Sequence, residues 1–222
     1  MKNMRPNPRA GTTLVEVTIG AALLATFAGT AFLAVDLSAR SYGTEAVMAR
    51  LDASARQALE EATGLLQAAD FDSLTPPPVA APASSPTLDF QSSRGFVNGA
   101  VVWSPVERLV LEPEPGDADD GIDNDGDGSI DEGRLVRIEA PGTANERRVV
   151  LCNGVSEILE DEIAGNGQDD NGNGLIDEQG FCVEYSGSRL ILRLTLAAMD
   201  QRRNLLLYTV SRSTTLRNTP EE

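Results

Sequence analysis

The chain has 222 residues, enough for one ordinary globular domain or one domain with appendages. Its 34 Asp and Glu against 18 Lys and Arg give a formal net charge of −16, a balance that repels nucleic acid and anionic membrane surfaces. With no histidine and only two cysteines, it has no Ser-His-Asp or Cys-His catalysis and no four-ligand Cys/His zinc site.

The acid is concentrated in two places. Residues 112–132 hold ten Asp or Glu and residues 157–178 hold eight, with no Lys or Arg in either stretch. The rest of the chain has 16 acids against 18 bases, so two anionic inserts sit in a near-neutral protein. Charges packed this densely repel one another unless they are solvated, disordered or bound to cations.

Residues 1–11, MKNMRPNPRAG, are basic and contain two prolines. Residues 12–35 follow as an almost wholly apolar run with one charge, Glu16, and as a helix they are long enough to cross a bilayer core. Asp36 and Arg40 end the run. From Leu37 to Ala69 the chain lacks proline, and Val47, Leu51, Ala55, Ala58, Leu59, Ala62, Leu65 and Leu66 recur at helical spacing. The pattern predicts one helix over 13–69, transmembrane over 12–36 and amphipathic over 37–70.

TPPPVAAPASSP, with its three consecutive prolines, marks 75–87 as a linker. Beyond it, residues 88–218 read as a β-rich head, with strands expected at 97–103, 106–112, 134–139, 146–152, 181–186, 189–197 and 204–212. In 189–197, Leu190, Leu192, Leu194 and Leu196 point one way and Arg189, Ile191, Arg193 and Thr195 the other, as in a half-buried antiparallel strand. The fold class is therefore α+β, a long N-terminal helix packed on an antiparallel sheet. No catalytic constellation is visible, so an enzyme is not expected.

Three readings fit the N-terminus. A secretory signal has a shorter apolar core and a small-x-small cleavage site. A plain anchor explains the length but not Glu16, since an acid inside a membrane is costly. Arg9-Ala10-Gly11 followed by Thr12-Thr13-Leu14-Val15-Glu16 resembles the type IV prepilin (class III) signal: a short basic leader ending in Gly, then an apolar helix with Glu at its fifth position. The resemblance implies cleavage after Gly11 by prepilin peptidase and N-methylation of Thr12. It also implies a single pass in the inner membrane, a periplasmic or extracellular head, and entry into a filament with other pilin or pseudopilin subunits. Glu16 would pair with the N-terminal ammonium of a neighbouring subunit. The terminal strands and the ending Thr214-Thr215-Leu216-Arg217-Asn218 resemble the minor pilin W and pseudopilin J group, with another minor pilin class as the alternative.

The two inserts are an internal repeat, Asp120-x-x-Asp123-x-Asp125-x-Asp127-Gly128-Ser129-Ile130-Asp131-Glu132 and Asn166-x-x-Asp169-x-Asn171-x-Asn173-Gly174-Leu175-Ile176-Asp177-Glu178. Within 117–132 and 165–178, both resemble the first nine positions of an EF-hand or dockerin calcium loop. Such a loop implies side-chain oxygens from positions 1, 3 and 5, a turn at the position 6 Gly and a carbonyl ligand at position 7, Ser129 or Leu175. It also implies an apolar anchor at position 8, Ile130 or Ile176, and closure by the acid at position 9, Asp131 or Asp177. Position 12, the usual bidentate Glu, is Arg134 or Gly180, so no helix-loop-helix hand is implied. Glu132 and Glu178, or the upstream Asp120 and Asn166, are candidates to substitute. Two Ca²⁺ sites are expected, the second weaker because its ligands carry less charge.

Cys152 and Cys182 bracket the second insert. If their strands pair, a disulfide at the base of the excursion follows; the alternative is two buried free thiols. Two functions fit this sequence. One is a minor pilin or pseudopilin in a type IV pilus or type II secretion filament. The other is a membrane-anchored calcium-dependent binding module.

Overall fold

The structure, a computed structural model, describes residues 13–77, 84–117, 120–124, 126, 129–163, 165–186 and 189–216. The chain divides into two compact units, Met1–Thr44 and Glu45–Glu222.

Helix α1 runs without a break from Leu14 to Leu66, 53 residues. In the first unit its large apolar side chains, among them Leu14, Leu23, Leu24, Phe27, Phe32 and Leu33, are all exposed. This is the one described helix long and apolar enough to cross a membrane. In the second unit the same helix becomes one-sided. Leu51, Ala55, Ala58, Leu59, Ala62, Thr63 and Leu66 are buried, at the spacing of three and four that puts them on one face.

The head is antiparallel throughout. Its strands are β1 (Ser84–Ser85), β2 (Thr87–Phe90), β3 (Ser93–Val97), β4 (Ala100–Trp103), β5 (Glu107–Pro113), β6 (Gly133–Glu139), β7 (Arg147–Val155), β8 (Phe181–Ser186), β9 (Arg189–Met199) and β10 (Leu205–Thr215). The main sheet has the order β1-β8-β9-β7-β6-β5-β2, with β10 on the other edge of β9, and β3-β4 form a separate hairpin. The core joins the helix face to Leu88, Phe90, Leu109, Leu135, Phe181, Val183 and the four leucines of β9. Leu190, Leu192, Leu194 and Leu196 are each 1% exposed or less, as their alternation predicts.

Three expectations need correction. The strand expected at 97–103 is a hairpin, because Asn98 and Gly99 both take positive φ (53° and 81°), as a tight two-residue turn between β3 and β4 requires. The stretch 75–87 is not wholly a linker: Thr75 pairs with Asp89, and Ser84–Ser85 join the edge of β8. Its residues 78–83 lie outside the described part. Finally, β7 and β8 do not pair with each other. Both lie along β9, with Val155 opposite Leu196 and Cys182 opposite Arg193.

Both inserts connect antiparallel strands that follow one another in the chain, but only the first joins strands that pair with each other. The first joins β5 to β6, and Glu114 N–H to Glu132 O (3.1 Å) extends the ladder one step into it. The second joins β7 to β8, and its base is closed by Leu159 N–H to Glu178 O (2.9 Å) and Gly180 N–H to Glu157 O (3.1 Å).

Candidate functional site

The two insert loops fold alike. In the first, Asp131 at position 9 turns its carboxylate back to accept the N–H groups of Asp120 (3.0 Å) and Gly121 (2.8 Å). In the second, Asp177 accepts those of Asn166 (3.1 Å) and Gly167 (3.0 Å). Asp131 and Asp177 share a left-handed backbone, φ 53° and 52°. Upstream, Asp120 accepts the N–H of Ile122 and Asn166 that of Gln168, and each bonds the side chain four residues on, Asn124 or Asp170. The sequence repeat is thus a repeat of backbone geometry. Asp120 and Asn166 close turns at the loop entrance.

Position 1 organises the turn of each loop. Asp123 accepts the Gly126 N–H at 2.6 Å; Asp169 accepts those of Asn173 (3.0 Å) and Gly174 (2.9 Å). Asn171 and Asn173 at positions 3 and 5 lie beside Asp169, and Asn171 Oδ1 accepts the Asn173 N–H at 3.0 Å. Asp125 and Asp127 lie outside the described residues, as do Gly11 and Thr12.

The apolar anchor is not at position 8. Ile130 and Ile176 are 56% and 58% exposed. With position 9 left-handed, the residues that turn inward are those at positions 7 and 10: Ser129 and Glu132 in the first loop, Leu175 and Glu178 in the second, all nearly fully buried.

Position 12 lacks its Glu for a different reason in each loop. Arg134 already lies in β6 opposite Glu112. At Gly180, a Cβ would fall 1.9 Å from the Ser156 carbonyl oxygen. No side chain fits at Gly180, so a ligand in its place in the second loop must come from elsewhere.

Two acids outside the repeat reach the loops. Asp117 accepts the N–H of Asn124 (3.0 Å) and of Glu132 (3.1 Å), one on each oxygen. Glu162 accepts the N–H of Asn171 at 3.2 Å on Oε1. Asp117 and Glu162 precede position 1 of their loops by six and seven residues, a near-repeat that the sequence contains and that could have marked them. Glu157 and Gln179, from the base of the second insert, line a cavity of about 130 Å³ with Asp117, Asp131 and Glu132 of the first.

Glu178 is the most exceptional of these acids. It is 1% exposed, and neither carboxylate oxygen has a hydrogen-bond partner. Burial holds its carboxyl above the ordinary range. The Asn173 side chain beside it pulls the other way without reaching hydrogen-bond geometry, and Glu162 and Asp169 push it further up. A buried carboxylate with no partner is costly, and a cation removes that cost. The oxygen-only donor set, carboxylates, amides and carbonyls, suits a hard cation such as Ca²⁺. Among the described residues, no three acidic or thiol groups are already gathered around one point.

The cysteines do not form the expected bond. Cys152 and Cys182 are free, buried thiols that burial pushes up to about 12. Cys152 belongs to the helix-facing core, whereas Cys182 alternates with core residues Phe181 and Val183 and lies on the opposite face of the sheet.

Glu16 has a local partner. Thr13 Oγ1 accepts the Glu16 N–H at 3.3 Å, and Glu16 Oε2 accepts the Thr13 N–H at 2.8 Å, a capping box at the start of α1. A lone anchor therefore also has a use for Glu16, and its presence alone does not single out an assembling subunit.

In comparison with known proteins, no family model, no curated protein and no solved structure matches this chain.

Proposed function

We propose that the chain is a type IV pilin-like minor subunit, a minor pilin or pseudopilin, whose head is stabilised by Ca²⁺ in its two insert loops. The observation that carries the reading is the single helix Leu14–Leu66, apolar and exposed in its first half and one face buried against an antiparallel sheet in its second. A plain anchor has no need to continue as the core helix of its own head. The Gly11|Thr12 junction and Glu16 supply the processing and assembly features, and other subunits, prepilin peptidase and the inner membrane are the partners. In the loops, Asp123, Asp125, Asp127, the Ser129 carbonyl and Glu132 would hold one ion, and Asp169, Asn171, Asn173, the Leu175 carbonyl and Glu178 the other.

Glu16→Gln tests assembly without disturbing the helix start. A capping box accepts Gln as well as Glu, but Gln cannot pair with a neighbour's ammonium. The subunit reading expects E16Q to stay in the membrane and be lost from the sheared filament fraction. Unchanged recovery there reduces Glu16 to a cap and sinks the reading. The alternative, a membrane-anchored calcium-dependent binding module, draws on the exposed apolar side chains of the β3–β4 hairpin, Phe96, Val97 and Val102. It expects E16Q to be silent and substitutions in that hairpin to abolish ligand capture.

A further inference from the structure

The second loop is short of a ligand at position 12, and the reason is structural. Gly180 is wedged against the Ser156 carbonyl. Glu162 and Glu178 flank the same loop. Glu162 is 5% exposed, one oxygen holds the Asn171 N–H, and the other is buried with no hydrogen-bond partner. Glu178 is 1% exposed with both oxygens unpartnered, and Leu159 ties its backbone to that of Glu162: Leu159 N–H donates to Glu178 O (2.9 Å) and Glu162 N–H to Leu159 O (3.2 Å). A buried carboxylate oxygen with no hydrogen-bond partner is costly, and a cation removes that cost.

We infer that Glu162, which lies outside the repeat, is a cation ligand of the second loop and, with Glu178, completes the Ca²⁺ coordination that position 12 leaves open. The assignment rests on the calcium reading above. The first loop is built differently. The corresponding upstream acid, Asp117, has a backbone N–H on each oxygen and acts as a brace of the loop. Glu162 thus raises the charge facing the second ion. The second site is then not the weaker one that its amide-rich repeat predicts. A set of carboxylates, amides and a carbonyl suits Ca²⁺, which takes six to eight oxygens, over Mg²⁺, which keeps most of its water.

The test is calorimetric titration of CaCl₂ into the full chain, stripped of metal and held in detergent, for wild type and Glu162→Gln. Gln keeps the oxygen that accepts the Asn171 N–H, so the two proteins should melt alike in chelator. Wild type should bind two ions. E162Q should keep one site and weaken the other on the order of 100-fold, within the range over which ligand charge tunes calcium loops. Should E162Q not fold, Glu162→Asp retains the charge with a shorter reach and should weaken the same site by about tenfold or more. Two ions bound with unchanged affinity by the variant overturns the role of Glu162 and leaves the calcium reading intact. One ion in both proteins also overturns it. No ion in wild type overturns the calcium reading itself.

Discussion

Replacing glycine by alanine at two positions should change stability in opposite directions. At Gly180 the new methyl would lie 1.9 Å from Ser156 O and 2.8 Å from Ser156 C, both backbone atoms, where real Cβ contacts stay beyond 3.0 Å. That carbonyl cannot simply move away. The Ser156 N–H is bonded to Thr195 O (3.0 Å), the Thr195 N–H to Gly180 O (2.7 Å) and the Gly180 N–H to Glu157 O (3.1 Å), so the clash falls on a three-bond seam between β9 and the insert base. Loss of these bonds at about 1 kcal/mol each, with overpacking strain of similar size, gives roughly 3–5 kcal/mol. For a domain of this size that lowers Tm by about 10 °C. Gly64, by contrast, sits in the exposed face of α1 with nothing within 4 Å of a Cβ, and Gly64→Ala should stabilise by about 0.5–1 kcal/mol. Thermal melts of the full chain in detergent, followed by circular dichroism, read both. A Gly180→Ala protein that melts within a degree or two of wild type would show that the insert base is not clamped to β9.

Other outcomes follow from the same packing. Leu59→Ala empties a fully buried site on the helix face and should cost about 2–5 kcal/mol; Leu24→Ala, 68% exposed, should change head stability in detergent by under about 0.5 kcal/mol, and equal effects in the same melts would contradict the division of the helix. A thiol reagent at pH 8 should label neither Cys152 nor Cys182 in the native protein and both after unfolding without reductant; no labelling on unfolding would mean they are bonded after all. Asp200 is held below the ordinary carboxylate range by the Asn204 side chain first, then by the backbone N–H groups of Asn204 and Arg202. Its lowered folded pKa makes its contribution complete above the unfolded value and lost as pH falls through the folded one. Asp200→Asn should therefore narrow the gap in urea stability between neutral and acid pH, and an unchanged gap would remove Asp200 from the acid response.

Much of this architecture was legible because it rests on periodicity. The leucines of β9 alternate, and the alanines and leucines of α1 recur at three and four. A fully apolar stretch ahead of them needs no tertiary information to be read. The failures lie where one residue overrides a pattern. Asn98-Gly99 breaks what looks like a continuous strand, because two positive-φ residues reverse the chain. Asp131 and Asp177 take left-handed backbones that rotate Ile130 and Ile176 outward, which the loop motif alone does not specify. Cys152 and Cys182 bracket an insert, yet their strands pair with β9 and not with each other, end to end along one edge of it. Asp117 and Glu162 were missed because they fall outside the motif, although each stands six or seven residues before it. The roles of Gly180 and of the buried Glu178 depend on what surrounds them in space, and no spacing rule encodes that.

The most direct measurement of the central claim is the mass of the N-terminal peptide of the protein recovered from membranes of cells that carry a prepilin peptidase. A pilin-like subunit should begin at Thr12 with a methylated amine, and a Gly11 substitution should leave the leader attached. A chain that keeps Met1–Gly11, or is cut C-terminal to the apolar run of α1, would contradict the account.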